Sequence, residues 1–225
     1  MMDHSGIHCS FQSEKPLWVG RGPAQSAAMV GYRDGEFRKD HAAFLIIMNN
    51  LNRNLAETQT VLEKGLTGEA LQSAIRERTT HSVYWDIMLE VPPSEKNRLT
   101  LSKTRKDSLG LACPDIYYDV GDYVLRGRTA AQEKLREIAA LFNATEVVVT
   151  TELVPNNHIM GGTIMGDDPK TSVVDSNCRA FDHDNLWLPG GGAMPSSSVV
   201  NSTLTMAALG IKAADDVLKS LEQQS

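Results

Sequence analysis

The segment from Asn156 to Thr203 reads NNHIMGGTIMGDDPKTSVVDSNCRAFDHDNLWLPGGGAMPSSSVVNST and leads straight into an apolar pattern with helical character. It places His158 before the pair Gly161–Gly162, three glycines after a short apolar run, and polar residues where the next helix begins. Glycines allow a backbone to approach a bound ring or phosphate closely. The combination predicts a backbone that is shaped around a ligand.

Three features of this segment have both a structural and a chemical interpretation. His158 can accept a proton near neutral pH, yet an isolated histidine is often a structural residue in a turn. Asn201, Ser202 and Thr203 suit a helix start, where they either cap the backbone or leave its positive end facing a ligand. The run Gly190–Gly192 either ends a strand or lines a ligand. The residues alone leave both interpretations open.

The composition indicates a globular protein and argues against nucleic-acid binding. The 225 residues are 41% hydrophobic and 22% charged, and the formal net charge is −6. This length suits one large domain or two small ones, and no stripe of Lys and Arg stands out. No run of 18 apolar residues predicts a membrane span. The first ten residues show neither the basic nor the apolar region of a signal peptide.

The cysteines and the N-terminal histidines do not predict a metal site. Cys9, Cys113 and Cys178 are far apart and form no CxxC pair, so we expect free thiols. His4 and His8 lie four residues apart, but no helix is predicted there and no carboxylate completes a ligand set. We therefore assign no metal-binding residues.

Hydrophobic periodicity predicts alternating short strands and helices before residue 151. A helix is predicted over His41–Leu55, and another over Glu69–Thr79 after a break at Gly68. Extended segments are predicted at Ala27–Tyr32, Ser82–Val91, Arg98–Ser102, Asp115–Asp119 and Glu146–Thr151. The segments from Ser82 to Asp119 are expected to form one antiparallel sheet with turns at Pro92, Pro93, Asp107 and Gly110.

Three further elements are predicted towards the end of the chain. The helix over Thr129–Phe142 begins at its threonine and carries Leu135, Ile138 and Leu141 or Phe142 on one face. Asn185–Leu188 is predicted as a short strand ended by Pro189. A final helix runs from Thr203 to Leu221, with Asn201 and Ser202 at its N-cap.

Four blocks of this segment resemble a known family in order and in spacing. They are His158–Gly166 (HIMGGTIMG), Ser172–Asp175 (SVVD), Asn185–Leu188 (NLWL) and Asn201–Thr205 (NSTLT). Together they resemble the C-terminal signature of the glucose–methanol–choline (GMC) flavoprotein oxidoreductases. Within that family, four earlier blocks are similar to the catalytic subunits of bacterial FAD-dependent glucose dehydrogenases: Met2–His4, Trp18–Pro23, Asn97–Ser102 and Cys113–Asp115.

The resemblance implies an α+β fold in two parts. Residues 1–150 would be mainly a substrate-binding domain with an antiparallel sheet and helices. Residues 151–225 would be the C-terminal α/β segment of an FAD-binding domain and would carry the catalytic histidine and asparagine. The N-terminal βαβ unit of the family, with its GxGxxG motif, has no counterpart in this sequence.

The resemblance also implies a reaction and roles for individual residues. His158 would take the hydroxyl proton of a glucose-type sugar while a hydride passes to N5 of FAD, and Asn201 would position the same hydroxyl. Gly191, Gly192, Ala193, Ser202 and Thr203 would contact the flavin. The implied partners are a sugar, a small subunit and a cytochrome c subunit, with no nucleic acid. The implied location is the periplasmic face of the bacterial inner membrane.

This sequence departs from the family pattern in two places. Asn201-Ser202-Thr203 stands where most members have Asn-Pro-Thr, and proline at a helix start is favourable but not required. The GxGxxG unit and the cysteine cluster that ligates an iron–sulfur centre in glucose dehydrogenases are both missing. We therefore expect the C-terminal part of a sugar dehydrogenase. The alternative is an inactive fragment or an assembly half that needs a complementary FAD-binding chain.

Overall fold

The computed structural model describes residues 1–51 and 53–223. Within these ranges the chain forms eight strands and four α-helices. They are β1 (Ser5–Gln12), β2 (Gln25–Met29), β3 (Phe44–Asn49), α1 (Asn54–Leu62), α2 (Gly68–His81), β4 (Ser82–Leu89), β5 (Arg98–Lys106), β6 (Ala112–Tyr117), α3 (Gly121–Leu141), β7 (Thr145–Val149), β8 (Val154–Pro155) and α4 (Thr203–Glu222). Because every pairing between strands of known register is antiparallel, the predicted α+β class is confirmed.

The chain divides into two compact units, and each is built from separated stretches of sequence. The sheet unit comprises Ser5–Leu89 and Asp122–Val154, and the site unit comprises Met1–His4, Glu90–Gly121 and the chain from Pro155 onward. This division differs from the predicted single boundary after residue 150, because the first four residues pair with a segment more than 150 positions later. The functional roles of the two predicted domains stay predictions.

The large sheet of the sheet unit has one apolar and one partly polar face. Its strand order is β2-β3-β4-β1-β7, and β8 also pairs with β1. Side chains alternate between faces along a strand. Ile7, Cys9 and Phe11 are therefore buried on one face, while His8 and Ser10 are half-buried on the other. The aromatic residue after α3, Phe142, packs against Phe11 and Trp85, so the apolar face is the core of this unit.

On the partly polar face, charged and aromatic side chains are paired with one another. His8 Nδ1 lies 2.7 Å from Asp86 Oδ1, and the His8 ring stacks on Tyr84 at 5.3 Å. Burial, followed by the nearby Asp86, raises the pKa of Tyr84 to about 12. These contacts account for the polar residues that alternate with apolar ones along β1 and β4.

The predicted helix over His41–Leu55 is wrong. Residues Phe44–Asn49 instead form β3, which pairs with β2 on one side and with β4 on the other. Because β3 is an interior strand and is buried on both faces, its sequence FLIIMN lacks the period-two alternation of a surface strand. A helix, α1, does follow, but it begins only at Asn54.

The predicted single sheet from Ser82 to Asp119 is also wrong. Strand β4 belongs to the large sheet, whereas β5 and β6 form a separate two-stranded sheet in the site unit. Pro92 and Pro93 follow β4 and lack the N–H that a ladder needs, while β5 is exposed at eight of its nine residues. The predicted turn is confirmed, since Gly110 N donates to Asp107 O at 3.1 Å.

Helix α3 is longer than predicted, and its buried stripe extends beyond the predicted face. It begins at Gly121 rather than at Thr129, and its buried residues include Val124, Ala131, Leu135 and Ala139. Of the two residues predicted to end the apolar face, Leu141 is 83% exposed, whereas Phe142 is half-buried and packs in the core, so the prediction is confirmed for Phe142 and wrong for Leu141. The buried stripe is formed mainly by small residues, which brings the helix close to its neighbour. A Cβ on Gly127 would lie only 2.7 Å from Ala42 Cβ and 2.8 Å from Ala42 O.

Helix α2 is confirmed and is tied to strand β7 by an arginine. Arg78 donates from Nη1 and Nη2 to the carboxylate of Glu146 at 3.0 and 2.8 Å. Its Nε lies 2.7 Å from Glu57 Oε2, and the Arg78 and Glu57 side chains are 16% and 13% exposed. The guanidinium therefore links the helix pair to the sheet through partly buried charges.

In the site unit, the predicted final helix is confirmed as α4, but the predicted strand Asn185–Leu188 is wrong. That segment makes one isolated bridge, between Arg179 and Trp187, and Leu188 N donates to Cys178 O at 2.8 Å. Turns on both sides keep the pairing too short for a ladder. No helix among the described residues is long and apolar enough to cross a membrane.

Candidate active site

The candidate site is built where the first residues of the chain pair with the segment around His158. Met2 and Met160 exchange two backbone hydrogen bonds of 2.8 and 2.9 Å, and Asn156 N donates to His4 O at 3.0 Å. Met2 and Met160 are both fully buried. This antiparallel pairing sets Asp3 and His4 directly beside His158.

The carboxylate of Asp3 fixes the backbone of His158. The N–H of Asn157 donates to Asp3 Oδ2 at 3.2 Å, and the N–H of His158 donates to Asp3 Oδ1 at 2.7 Å. Asn157 has a φ of 60°, a left-handed conformation that asparagine tolerates better than most residues. This turn presents two successive N–H groups to one buried carboxylate, so the start of the site is rigid.

The ring of His158 is half-buried and contacts a second, fully buried histidine. Its Nδ1 lies 2.9 Å from His4 Nδ1, and the two rings are edge to face at 5.1 Å between centroids. The Nε2 of His4 is hydrogen-bonded to the carbonyl oxygen of Ser198. Burial lowers the pKa of His4, and the neighbouring His158 lowers it further. His4 is the residue that the sequence interpretation missed.

A short 3-10 turn is formed by Gly191, Gly192 and Ala193, which the sequence resemblance assigns to flavin contact. The carbonyls of Gly191, Gly192 and Ala193 accept hydrogen bonds of 3.0, 2.9 and 3.0 Å from Gly161, Thr163 and Met165 respectively. Ala193 is fully buried, and its N–H donates to Gly190 O at 3.2 Å. Within the described chain, the N–H groups of Gly191 and Gly192 have no acceptor.

Glycine at these two positions has a reason within the chain itself. A Cβ on Gly191 would lie 2.7 Å from both Ile159 O and Met206 Cε. A Cβ on Gly192 would lie 2.5 Å from Thr163 Oγ1. Both distances are below the closest approach of real Cβ atoms, so the turn packs against the His158 segment only because these side chains are absent.

The start of α4 has no side-chain cap. Ser202 is the N-cap residue, as predicted, but its φ of −88° and ψ of −1° are helical, and its side chain caps nothing. Capping needs an extended N-cap backbone that directs the side-chain oxygen to the first-turn N–H groups. The Ser202 hydroxyl instead lies 4.0 Å from Met206 Sδ. The first backbone bond is donated by Met206 to Ser202 O at 3.0 Å, so the N–H groups of the first turn stay available.

These parts meet around a cluster of methionines. Met2, Met160 and Met194 are buried together, with Met206 and Leu209 of α4 packed against them. The cluster brings the His158 segment, the glycine turn and the helix start into one place. Asn201 is exposed and makes no hydrogen bond with a described residue, His158 included. Its predicted role in positioning the substrate hydroxyl stays a prediction.

One side chain of the site has a buried polar atom without a hydrogen-bond partner. Nδ2 of Asn156, two residues before His158, is buried without a hydrogen-bond partner among the described residues. A buried amide without a partner costs free energy, so this Nδ2 marks a place where a bound group could accept a hydrogen bond. In residues 1–51 and 53–223, no group of three or more His, Cys, Asp or Glu side chains is arranged to hold a metal ion.

Comparison with known proteins places the chain in a family. Residues 92–210 match the family described as GMC oxidoreductase. The chain is 47% identical over 223 residues to the fructose dehydrogenase large subunit of Gluconobacter japonicus, covering 99% of this chain and 41% of that protein. It is 26% identical over 151 residues to the gluconate 2-dehydrogenase flavoprotein of Pantoea cypripedii, covering 63% and 25%. The chain belongs to the GMC oxidoreductases, which confirms the resemblance seen in the sequence.

Two solved structures share the fold at low sequence identity. Pyridoxine 4-oxidase from Mesorbium loti superposes with a TM-score of 0.63 and 15% identity, over 96% of this chain and 42% of that one. A formate oxidase gives a TM-score of 0.63 and 13% identity, over 100% and 47%. The chain therefore spans less than half the length of these proteins and of the curated relatives named above.

Proposed function

We propose that this chain carries the catalytic residues of an FAD-dependent sugar dehydrogenase, with His158 as the base. The observation that carries the proposal is the rigid, half-buried imidazole of His158, set next to a glycine turn and an uncapped helix start. A general base must be held within reach of the proton that it removes. Clamping of the backbone at Asp3 meets that requirement.

The residues around the glycine turn fit a flavin. When bound, FAD would supply the acceptor for the hydride that leaves the carbinol carbon. The free N–H groups of Gly191 and Gly192 could donate to its ring, and the first turn of α4 at Ser202 and Thr203 would stabilise negative charge there. Ala193 would support the turn from below, since both of its backbone groups are bonded. Asn156 Nδ2 offers one further donor.

The proposed reaction balances with one proton and one hydride. His158 takes the hydroxyl proton of the sugar, the C–H bond breaks, its electron pair leaves with the hydrogen, and a carbonyl forms. Asn201 hydrogen-bonds the same hydroxyl through its side-chain amide. Because the helix start has no side-chain cap, its dipole acts on the bound group without a competing carboxylate or hydroxyl.

Sugars are the proposed substrate class, and their identity needs direct measurement. The sequence resemblance favours a glucose-type sugar, whereas the relative at 47% identity is named for fructose. We propose that glucose and fructose be tested side by side. A small subunit and a cytochrome c subunit, at the periplasmic face of the inner membrane, complete the proposal. The relative's description as a large subunit supports the presence of further subunits, and the sequence resemblance is the basis for their kind and location.

The second candidate is an inactive fragment or an assembly half that works only with a complementary FAD-binding chain. It is favoured by the lack of a GxGxxG motif in these 225 residues. The two are separated by adding FAD to the purified chain, removing the excess, and adding sugar. Retained flavin absorbance that bleaches with sugar supports the autonomous enzyme. A colourless protein that gains flavin only with a GxGxxG-bearing partner chain supports the assembly half.

Replacing the proposed base tests the catalytic role in whichever assembly oxidises sugar. His158→Ala should abolish dye-coupled sugar oxidation while flavin stays bound. His183→Ala is the matched control, because His183 is exposed in a surface turn of the same unit. Near-normal turnover in His158→Ala would overturn the assignment.

Asn201 is tested by separating turnover from binding. Asn201→Ala should lower kcat more than it raises KM, because the proposed hydrogen bond strengthens as the hydroxyl loses its proton. An effect on KM alone would contradict a role in the transition state. Asn201→Asp keeps the volume but replaces the N–H donor by a carboxylate, which can only accept. It should be at least as damaging, because its negative charge lies beside the negative charge that develops on the hydroxyl oxygen.

A further inference from the structure

The hydrogen bonds of His4 define which of its nitrogens carries a proton. Its Nε2 contacts the carbonyl oxygen of Ser198. A carbonyl oxygen can only accept, so His4 Nε2 must be the donor. The proton of a neutral His4 is therefore on Nε2, and its Nδ1 has a free electron pair.

Burial favours the neutral form of His4. Its side chain is fully buried, and burial disfavours the charged ring. Asp3 is the nearest carboxylate, but both of its oxygens accept backbone N–H groups, from Asn157 and His158. The other titratable group that faces the ring is His158 itself, whose positive charge would disfavour a second one.

The contact between the two histidines then has a single direction. A hydrogen bond needs one donor and one acceptor, and Nδ1 of His4 is the acceptor. At 2.9 Å, Nδ1 of His158 is therefore the donor. In a neutral imidazole only one nitrogen carries hydrogen, so the free electron pair of His158 lies on Nε2. No described residue is hydrogen-bonded to that Nε2, which leaves it open to a substrate.

We propose that His4 is a positioning residue that holds His158 in the tautomer with its proton on Nδ1 and its basic nitrogen, Nε2, free. This inference rests on the proposed role of His158 as the base. The hydrogen bonds connect the Ser198 carbonyl with His4, and His4 with His158. Partners of this kind fix both the tautomer and the ring plane of metal-bound or catalytic histidines. His4 also keeps an acceptor on Nδ1–H of His158 when Nε2 of that ring gains a proton.

Residues Asp3 and His4 thus act on His158 in two different ways. Asp3 holds the backbone through N–H groups, and His4 selects the ring nitrogen. The two functions can be separated by mutation, because a variant of His4 leaves the bonds from Asn157 and His158 to Asp3 in place.

The tautomer is measurable without cofactor or substrate. We propose long-range proton–nitrogen NMR correlation on the full chain with nitrogen-labelled histidine, above pH 7.5, with His158 signals assigned from the His158→Gln variant. Expected is a protonated Nδ1 and an unprotonated Nε2 at His158. His8 is the internal control for a protonated Nδ1, because its Nδ1 donates to the Asp86 carboxylate at 2.7 Å.

Two variants of His4 complete the test. His4→Leu removes the acceptor, and His158 should lose its preference for the Nδ1–H form. His4→Asn retains a carbonyl oxygen near the position of Nδ1 and should keep that form, while the signals of His8 stay unchanged in both. A wild-type His158 with its proton on Nε2 overturns the proposal, even if neither variant folds. An unchanged Nδ1–H form in His4→Leu overturns it as well.

Failure of this inference and failure of the proposed function give different results. If the tautomer is as expected and His158→Ala still oxidises sugar, the positioning by His4 stands and the base assignment fails. If His158→Ala is inactive but Nε2 carries the proton, the base assignment stands and the positioning role of His4 fails.

Discussion

Replacing Gly191 by alanine should open the contact between the glycine turn and the His158 segment. The added Cβ would lie 2.7 Å from Ile159 O, a backbone atom that cannot move without displacing its neighbour His158. It would also lie 2.7 Å from Met206 Cε, but that is the flexible end of a side chain. Overpacking of this kind costs about 1–3 kcal/mol.

This loss of stability can be measured both at the contact and for the whole protein. The amide of Gly161 donates to Gly191 O at 3.0 Å, so its hydrogen-exchange protection should fall by about 5- to 150-fold, the equivalent of that free energy. The melting temperature should fall by about 2–12 °C, at roughly 2–4 °C per kcal/mol for a chain of this size. Exchange followed by NMR gives the local value, and circular dichroism gives the melting temperature.

The matched control is Gly162→Ala in the same unit. A Cβ on Gly162 meets no atom within 4 Å, so the change should stay within about 0.5 kcal/mol. Met206→Ala in the Gly191→Ala background separates the two contacts, and it should restore little because the carbonyl of Ile159 remains. Equal protection of Gly161 in Gly191→Ala and Gly162→Ala would refute the packing explanation.

Three further predictions concern stability. Burial holds the pKa of His4 below its unfolded value, so the unfolded chain binds more protons and the free energy of unfolding should fall as the pH drops below about 6.5; urea titrations between pH 5.5 and 7.5 should show a smaller fall in His4→Asn. Arg78→Ala leaves the mostly buried Glu57 without its cationic partner, with Ser82 and Gln12 as its remaining hydrogen-bond donors, and should cost about 3 kcal/mol in urea unfolding; a cost near zero would mean that the pair is solvated. Gly127→Ala should destabilise by about 1–3 kcal/mol, whereas Gly210→Ala, in open space on α4, should stabilise by about 0.5–1 kcal/mol; a melting temperature that rises in Gly127→Ala or falls in Gly210→Ala would contradict the respective prediction.

The sequence predicted those elements whose pattern is local. Helix α4 and strand β4 carry their own periodicity, and α2 follows a clear break at Gly68. The prediction was wrong for β3 because an interior strand is apolar on both faces, which removes the alternation that identifies a strand. The start of α3 was predicted too late in the chain, because the buried stripe of this helix includes small residues that hydrophobicity alone ranks low.

The residues of the candidate site also fall into those that the sequence could predict and those that it could not. His158, Asn201 and the glycine turn lie in one continuous segment, so their residue types and spacing could be recognised together. Asp3 and His4 lie 155 and 154 positions from His158, and only the tertiary pairing of Met2 with Met160 brings them there. In the sequence, the nearest histidine to His4 is His8, four residues away, so spacing alone gives no sign of its contact with His158.

The glycine turn shows how one residue type can meet two demands. Sequence reasoning assigned Gly191 and Gly192 to a flavin, and the structure gives a packing reason for both within the chain. The two explanations concern different atoms, since packing uses the space of the missing Cβ, while a ligand would use the free N–H groups. Packing alone would therefore permit the loss of either N–H, whereas flavin binding would not. Gly191→Ala tests the packing demand by stability. Flavin affinity in Gly192→Ala combined with Thr163→Ala, which keeps the N–H and relieves the contact with Thr163 Oγ1, tests whether a flavin also needs the space of the missing Cβ. Normal flavin affinity in that double variant would mean that glycine is required there for packing against Thr163 and not for the flavin.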